Sequence, residues 1–200
     1  MTKLIVCGDS WTAGTLTSGN YRLWPDYLGS MLNMDVINLG DGGRGNEFIY
    51  NNIIDALCKE KNIGLAIALW SNPNRIVGKR GVNRGPPSQA EYNLLRSLRW
   101  YNAFQNFCEV NSVPYLQGGA WWHLEKKDIL SMIDNNIFYK INEKTFIGWP
   151  MATEIGGFTF DDKLSDDLRV SEEDRHPNTE GHKLIAELLY NFYERVKKYV

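Results

Sequence analysis

The side chains best suited to nucleophilic chemistry lie near opposite ends of this sequence. Lys3 to Gly14 reads KLIVCGDSWTAG, an apolar run that stops at Gly8-Asp9-Ser10. Leu4, Ile5 and Val6 have the continuous apolar character of a strand buried on both faces, Gly8 permits a sharp turn, and Ser10 follows at the strand's carboxyl end. Open α/β sheets bind their ligands at that edge. Far along the chain, Ser171 to His182 reads SEEDRHPNTEGH, which puts His176 on a proline-constrained turn with Glu173 and Asp174 three and two residues before it. A hydroxyl, an imidazole and a carboxylate to orient it are the parts of a serine nucleophile activated by a base. Either stretch alone has a plain structural reading, the first as a strand followed by an N-capping residue. It is their joint presence that points to chemistry.

The motifs between them carry a resemblance. Gly8-Asp9-Ser10, Gly43 in NLGDGG, Asn72 in LWSN, and Asp174-Arg175-His176-Pro177-Asn178 resemble, in order and spacing, the four blocks of the SGNH hydrolases, also called GDSL esterases. The resemblance runs from Leu4 to about Leu189. It implies Ser10 as nucleophile, His176 as base, and an oxyanion hole made by the N–H groups of Ser10 and Gly43 with the Asn72 side chain. The third block departs from the usual G-x-N-D, since Trp70-Ser71-Asn72-Pro73 keeps only the asparagine. In the fourth, usually D-x-x-H, the residue three before His176 is Glu173. If the segment is extended, Asp174 and His176 point to the same side and Asp174 is the acid. If it is a helical turn, Glu173 is. The resemblance also implies a flavodoxin-like strand order and catalysis without a metal or cofactor.

Composition narrows the function classes. Two hundred residues with 43% apolar content are enough for one core, so a single α/β domain over residues 1–200 is expected. A net charge of -2 gives no electrostatic case for nucleic acid, and the locally basic Lys79 to Arg84 reads as a solvated loop. No leader-like segment and no apolar run long enough to span a bilayer is seen, so the expected setting is the cytoplasm, with no membrane partner. Cys7, Cys58 and Cys108 are scattered through apolar elements and read as buried free thiols, and His123, His176 and His182 make no zinc spacing with them. The expected partner is a small-molecule or glycan ester, with short acyl chains and a carbohydrate-like alcohol. Two other classes fit the same fold: a non-catalytic glycan- or nucleotide-binding module, and a phosphate or FMN binder using Gly8 to Thr12. The second leaves the Asp174 to Pro177 motif unexplained.

These residues need a scaffold. Alternation of helical and strand patterns predicts a three-layer α/β/α sandwich around a mostly parallel sheet. Tyr21 to Met34, Asn46 to Lys59 and about 90–109 carry helical stripes, with Asn46 a candidate cap for the second and Ser88-Gln89-Ala90-Glu91 a capping box for the third. Asp35 to Leu39, Gly64 to Trp70 and Val113 to Gln117 read as strands, and Asn178 or Thr179 to Lys198 as the last helix. Residues 73–87 read as a long irregular connection of the kind that forms lids. Residues 118–171 read as an elaboration over the site, with a short helix near Asp128 to Asp134. Trp121, Trp122 and Trp149 serve there either as a sugar-binding surface or as core closure.

Overall fold

The computed structural model describes residues 1–14, 21–78, 81–84, 89–121 and 126–199. Five parallel strands form the central sheet in the order β2-β1-β3-β6-β7: Lys3–Cys7 (β1), Asp35–Asn38 (β2), Ile63–Trp70 (β3), Tyr115–Gly119 (β6) and Phe146–Ile147 (β7). Helices Ser10–Ala13 (α1), Trp24–Leu32 (α2), Asn46–Lys59 (α3), Ala90–Val110 (α4), Lys126–Ile133 (α5) and Thr179–Val196 (α6) connect and follow the strands. Because β1 has β2 on one side and β3 on the other, the chain reverses its direction of travel across the sheet there. The crevice so formed lies at the carboxyl ends of the strands.

The strands are apolar on both faces because each face is covered. Successive side chains alternate, so Ile5, Cys7, Ala66, Ala68 and Trp70 enter one core with Ile49 and Ile53 of α3 and Leu98 and Tyr101 of α4. Leu4, Val6, Leu65, Ile67 and Leu69 enter the other with Leu28 of α2 and Ile185 and Leu189 of α6. Burying each aliphatic side chain contributes about 1.5 to 3 kcal/mol before chain entropy is charged against it. The two cores are separated only by the thickness of the sheet, so the strand ends that bear the polar residues are held from both sides.

The sequence reading and the structure differ at several places. The connection after β3 is not irregular throughout: Arg75–Gly78 (β4) and Gly81–Arg84 (β5) form an antiparallel hairpin. Ile76, Val77 and Val82 supply its β propensity, a signal hidden by the surrounding Arg, Asn and Pro. Asn46 is not a cap; Gly45 holds that position and the Asn46 side chain is turned into the core. Cys7 and Cys108 are buried as expected, whereas Cys58 is exposed on α3. Burial pushes the Cys7 thiol up to about 12. Trp149 packs on Phe138 and Phe146 at 5.0 Å from each ring, so it closes the core. Trp122, His123, Ser88, Lys79 and Arg80 lie outside the described residues. Among the described residues no helix is long and apolar enough to cross a membrane.

Candidate active site

Ser10 is delivered by the turn between β1 and α1. Gly8 is required there by proximity, since a Cβ would sit 2.1 Å from Thr12 Oγ1. Asp9 is fully buried and caps the turn, its Oδ1 accepting from the Trp11 N–H at 3.0 Å while its carbonyl accepts from Thr12 and Ala13. Asn38, at the end of β2, donates from Nδ2 to the Thr12 carbonyl at 2.8 Å and accepts from the Gly40 N–H at 2.9 Å. It thereby ties the serine turn to the glycine-rich loop. Gly43 in that loop has φ 74°, a left-handed conformation that glycine adopts without strain.

His176 comes from an irregular segment instead. The segment is stapled by Arg169, whose guanidinium is 3% exposed. Arg169 donates to Asp161 Oδ1 at 2.6 Å and to the carbonyls of Asp161, Leu164 and Arg175 at 2.9 to 3.0 Å. Asn178 adds a second staple, with Nδ2 donating to the carbonyls of Asp167 and Arg169 and Oδ1 capping α6 through the Gly181 N–H. Arg169 also bridges to Pro177 as an isolated antiparallel pair, and the Val170 N–H donates to the His176 carbonyl at 2.9 Å. The segment before His176 holds two single 3₁₀ turns, Asp161–Lys163 and Asp166–Leu168, and no ladder strand, yet its backbone groups are engaged from several sides.

Ser10 and His176 meet across the crevice. Ser10 Oγ lies 2.8 Å from His176 Nε2, and His176 Nδ1 lies 2.5 Å from Asp174 Oδ1. The same Asp174 oxygen accepts from the His176 backbone N–H at 3.2 Å. Glu173 accepts from Ser171 Oγ at 2.9 Å, and its hydrogen bonds hold its carboxyl below the usual value. With Asp174 ionised, Nδ1 carries the proton and Nε2 is left to accept from the Ser10 hydroxyl. Behind His176, His182 is buried on α6, and burial first and the neighbouring His176 second push its pKa down to about 4.

A cavity of about 940 Å³ opens over this pair, lined among others by Ser10, Trp11, Gly43, Arg75, Trp121 and His176. Asn72 is not among its described lining residues. Its Oδ1 accepts from the Asn74 N–H at 2.9 Å, an Asx turn folding it back on its own loop. One polar residue that sequence reasoning passed over, Arg75, stands in the site. Arg75 Nη1 donates to Asp9 Oδ2 at 2.9 Å, and its guanidinium stacks 4.7 Å from the centre of the Trp121 ring. Trp121 Nε1 and Ser71 Oγ donate to the same Asp9 oxygen at 2.9 and 2.6 Å. No periodicity marks an arginine that pairs with a carboxylate 66 residues away. The one available signal was Arg75 following closely on the strand end at Trp70.

No protein-family model matches the chain, and no curated protein matches it in sequence. Solved structures match its fold over nearly the whole length. A protein described as a lipolytic protein of the G-D-S-L family from Desulfitobacterium hafniense is 19% identical with a TM-score of 0.58, covering 96% of this chain and 99% of its own. The psychrotrophic esterase EstA of Pseudoalteromonas is 16% identical with a TM-score of 0.62, covering 98% of each chain. A carbohydrate esterase family 2 enzyme of Corynascus is 12% identical with a TM-score of 0.61, covering 98% of this chain and 67% of its own. The chain thus has the SGNH hydrolase fold, as its motif order implied.

Proposed function

We propose that the chain is a serine ester hydrolase working through an acyl-enzyme, and that its substrates are short-chain acyl or carbohydrate O-acetyl esters. The observation that carries the reading is the continuous hydrogen-bonded chain from Ser10 Oγ through the His176 ring to Asp174 at the mouth of the cavity. In the first step Ser10 Oγ attacks the acyl carbonyl carbon and passes its proton to His176 Nε2. The carbonyl π pair moves to oxygen, giving a tetrahedral oxyanion. When that intermediate collapses, the bond to the alcohol oxygen breaks, His176 gives its proton to the departing alcohol, and the acyl group stays on Ser10. Water repeats the sequence, with His176 again taking and returning one proton, and the acid leaves. Asp174 keeps the ring in the required tautomer and stabilises the imidazolium.

The N–H groups of Ser10 and Gly43 are the proposed backbone donors to the oxyanion, each such donor typically worth about 3 kcal/mol of barrier. The sequence reading adds the Asn72 amide. The substrate side rests on the mixed cavity wall, where the rings of Trp11 and Trp121 stand beside charged groups, a lining suited to the apolar face and hydroxyl edge of a sugar. The likeness of fold to a carbohydrate esterase supports it as well.

The test is hydrolysis of p-nitrophenyl acetate and longer homologues, with Ser10→Ala as control. Turnover by the wild type that disappears in Ser10→Ala is expected, together with faster cleavage of acetyl than of long-chain esters. A folded wild type with no turnover on any chain length leaves the binding-module reading instead.

A further inference from the structure

The geometry points to Arg75 as the side-chain donor of the oxyanion hole, in the place that the sequence motif would give to Asn72. The inference rests on the esterase reading and deepens it. Three carboxamides, those of Asn46, Asn72 and Asn74, gather near the end of β3, and each has its side-chain oxygen engaged by a neighbouring donor. Asn72 is folded onto the Asn74 N–H. Asn46 is 3% exposed, with Nδ2 donating to Ser97 Oγ and Tyr101 OH and Oδ1 accepting from the Ser71 N–H. Asn74 accepts through Oδ1 from Asn93 Nδ2 at 3.2 Å. None of the three is among the described residues lining the cavity, whereas Arg75 lines it together with Ser10 and Gly43.

Arg75 is also held as a catalytic donor has to be. Its side chain is only 17% exposed. Nη1 is fixed by Asp9 Oδ2 at 2.9 Å and Ser71 Oγ at 3.3 Å, and the guanidinium plane lies against Trp121. A donor fixed before the reaction needs no reorganisation when charge develops, and in a partly desolvated wall a full positive charge acts more strongly than it would in water. Nor is Asp9 dependent on Arg75 alone. The Trp11 N–H, Ser71 Oγ and Trp121 Nε1 also donate to its carboxylate, so three of its four acceptor sites are met without the arginine. A cation placed solely to neutralise Asp9 could have been buried; this one lines the cavity that also holds the proposed nucleophile.

The test compares kcat and KM for p-nitrophenyl acetate, and the melting temperature, in wild type, Arg75→Lys, Arg75→Gln and Asn72→Ala. Lysine keeps an ion pair with Asp9 but loses the planar fork that can bridge two acceptors. Expected for Arg75→Lys is a fall in kcat of at least about tenfold with KM within about threefold and little change in melting temperature; Arg75→Gln should fall further, by about a hundredfold, and Asn72→Ala by less than about threefold. The inference is overturned if Arg75→Lys retains kcat within threefold, or if Asn72→Ala shows the large loss instead. Failure of both Arg75 variants to fold also overturns it, because the cluster would then be a structural ion pair. A folded wild type that neither hydrolyses the ester nor takes up a fluorophosphonate at Ser10 removes the esterase reading itself, and the Arg75 role with it.

Discussion

The turn carrying Ser10 and the segment carrying His176 are built on different physics. Ser10 sits at the end of a strand whose neighbours on both sides are hydrogen-bonded to it, above two apolar cores, and its position follows from backbone geometry and burial. His176 sits at the end of a stretch whose regular structure is limited to two single 3₁₀ turns, and its position follows from a few polar side chains that collect carbonyl groups, Arg169 foremost. The first kind of placement is spread over many residues, each contributing little. The second is concentrated in one or two. Damage to the serine side should therefore be graded, and damage to the histidine side abrupt.

The largest expected effect concerns the carboxylate. Asp174→Asn removes the charge that faces Nδ1 and should lower kcat by about 10² to 10⁴, while Glu173→Gln should leave it within about threefold. The reverse ranking in steady-state kinetics would mean that Glu173 is the acid in solution. Next comes Arg169→Met, which removes the guanidinium hydrogen bonds to the Asp161 carboxylate and to three carbonyls. Loss of one partner of a buried pair costs about 3 to 5 kcal/mol. Hydrogen exchange should accelerate across 161–178 before it does in β1, and uniform acceleration would erase the contrast between the two regions.

The protonation of His182 gives a third, smaller effect. Its folded pKa of about 4 lies below the ordinary 6.5, so its stabilising contribution is complete above 6.5 and is lost as pH falls toward 4. The loss is on the order of 3 kcal/mol at most. Thermal melts of wild type and His182→Phe over that interval should differ in slope, the wild type falling more steeply with acid. Parallel curves would locate the acid sensitivity elsewhere. The smallest expected change is in Asn178→Ala, which deletes a helix cap and two loop contacts and should cost about 1 to 2 kcal/mol in denaturant unfolding. An effect below a few tenths would show that Arg169 holds the segment unaided.

The same division governs what the sequence discloses. β1, β3, α3 and α6 are legible because burial writes a continuous apolar run or a helical stripe, and the stripe of α3 ends at the same residues as the helix, Asn46 and Lys59. Ser10, Gly43 and the Asp174 to His176 turn were legible as motifs. Arg169 and Arg75 were not, because an arginine drawn into the interior by a carboxylate and by carbonyls looks in sequence like any surface charge. Asn46 failed for a related reason: an asparagine at a helix start serves as a cap so commonly that its use as a core linker to Ser71, Ser97 and Tyr101 gives no sign. The β4–β5 hairpin failed because its apolar content is spread thinly among polar residues.

The hydrogen bond between Ser10 and His176 joins residues 166 positions apart. At about 5 to 20 residues per second on a ribosome, the serine would exist for roughly 8 to 33 s before the histidine is made. On the proposed mechanism, a chain that has already paired its first strands carries throughout that interval a hydroxyl with no base to activate it. Competence would arrive only once α6 has docked and drawn the Asp161 to Asn178 segment over the sheet. For this topology, the onset of activity would time the last long-range closure of the chain.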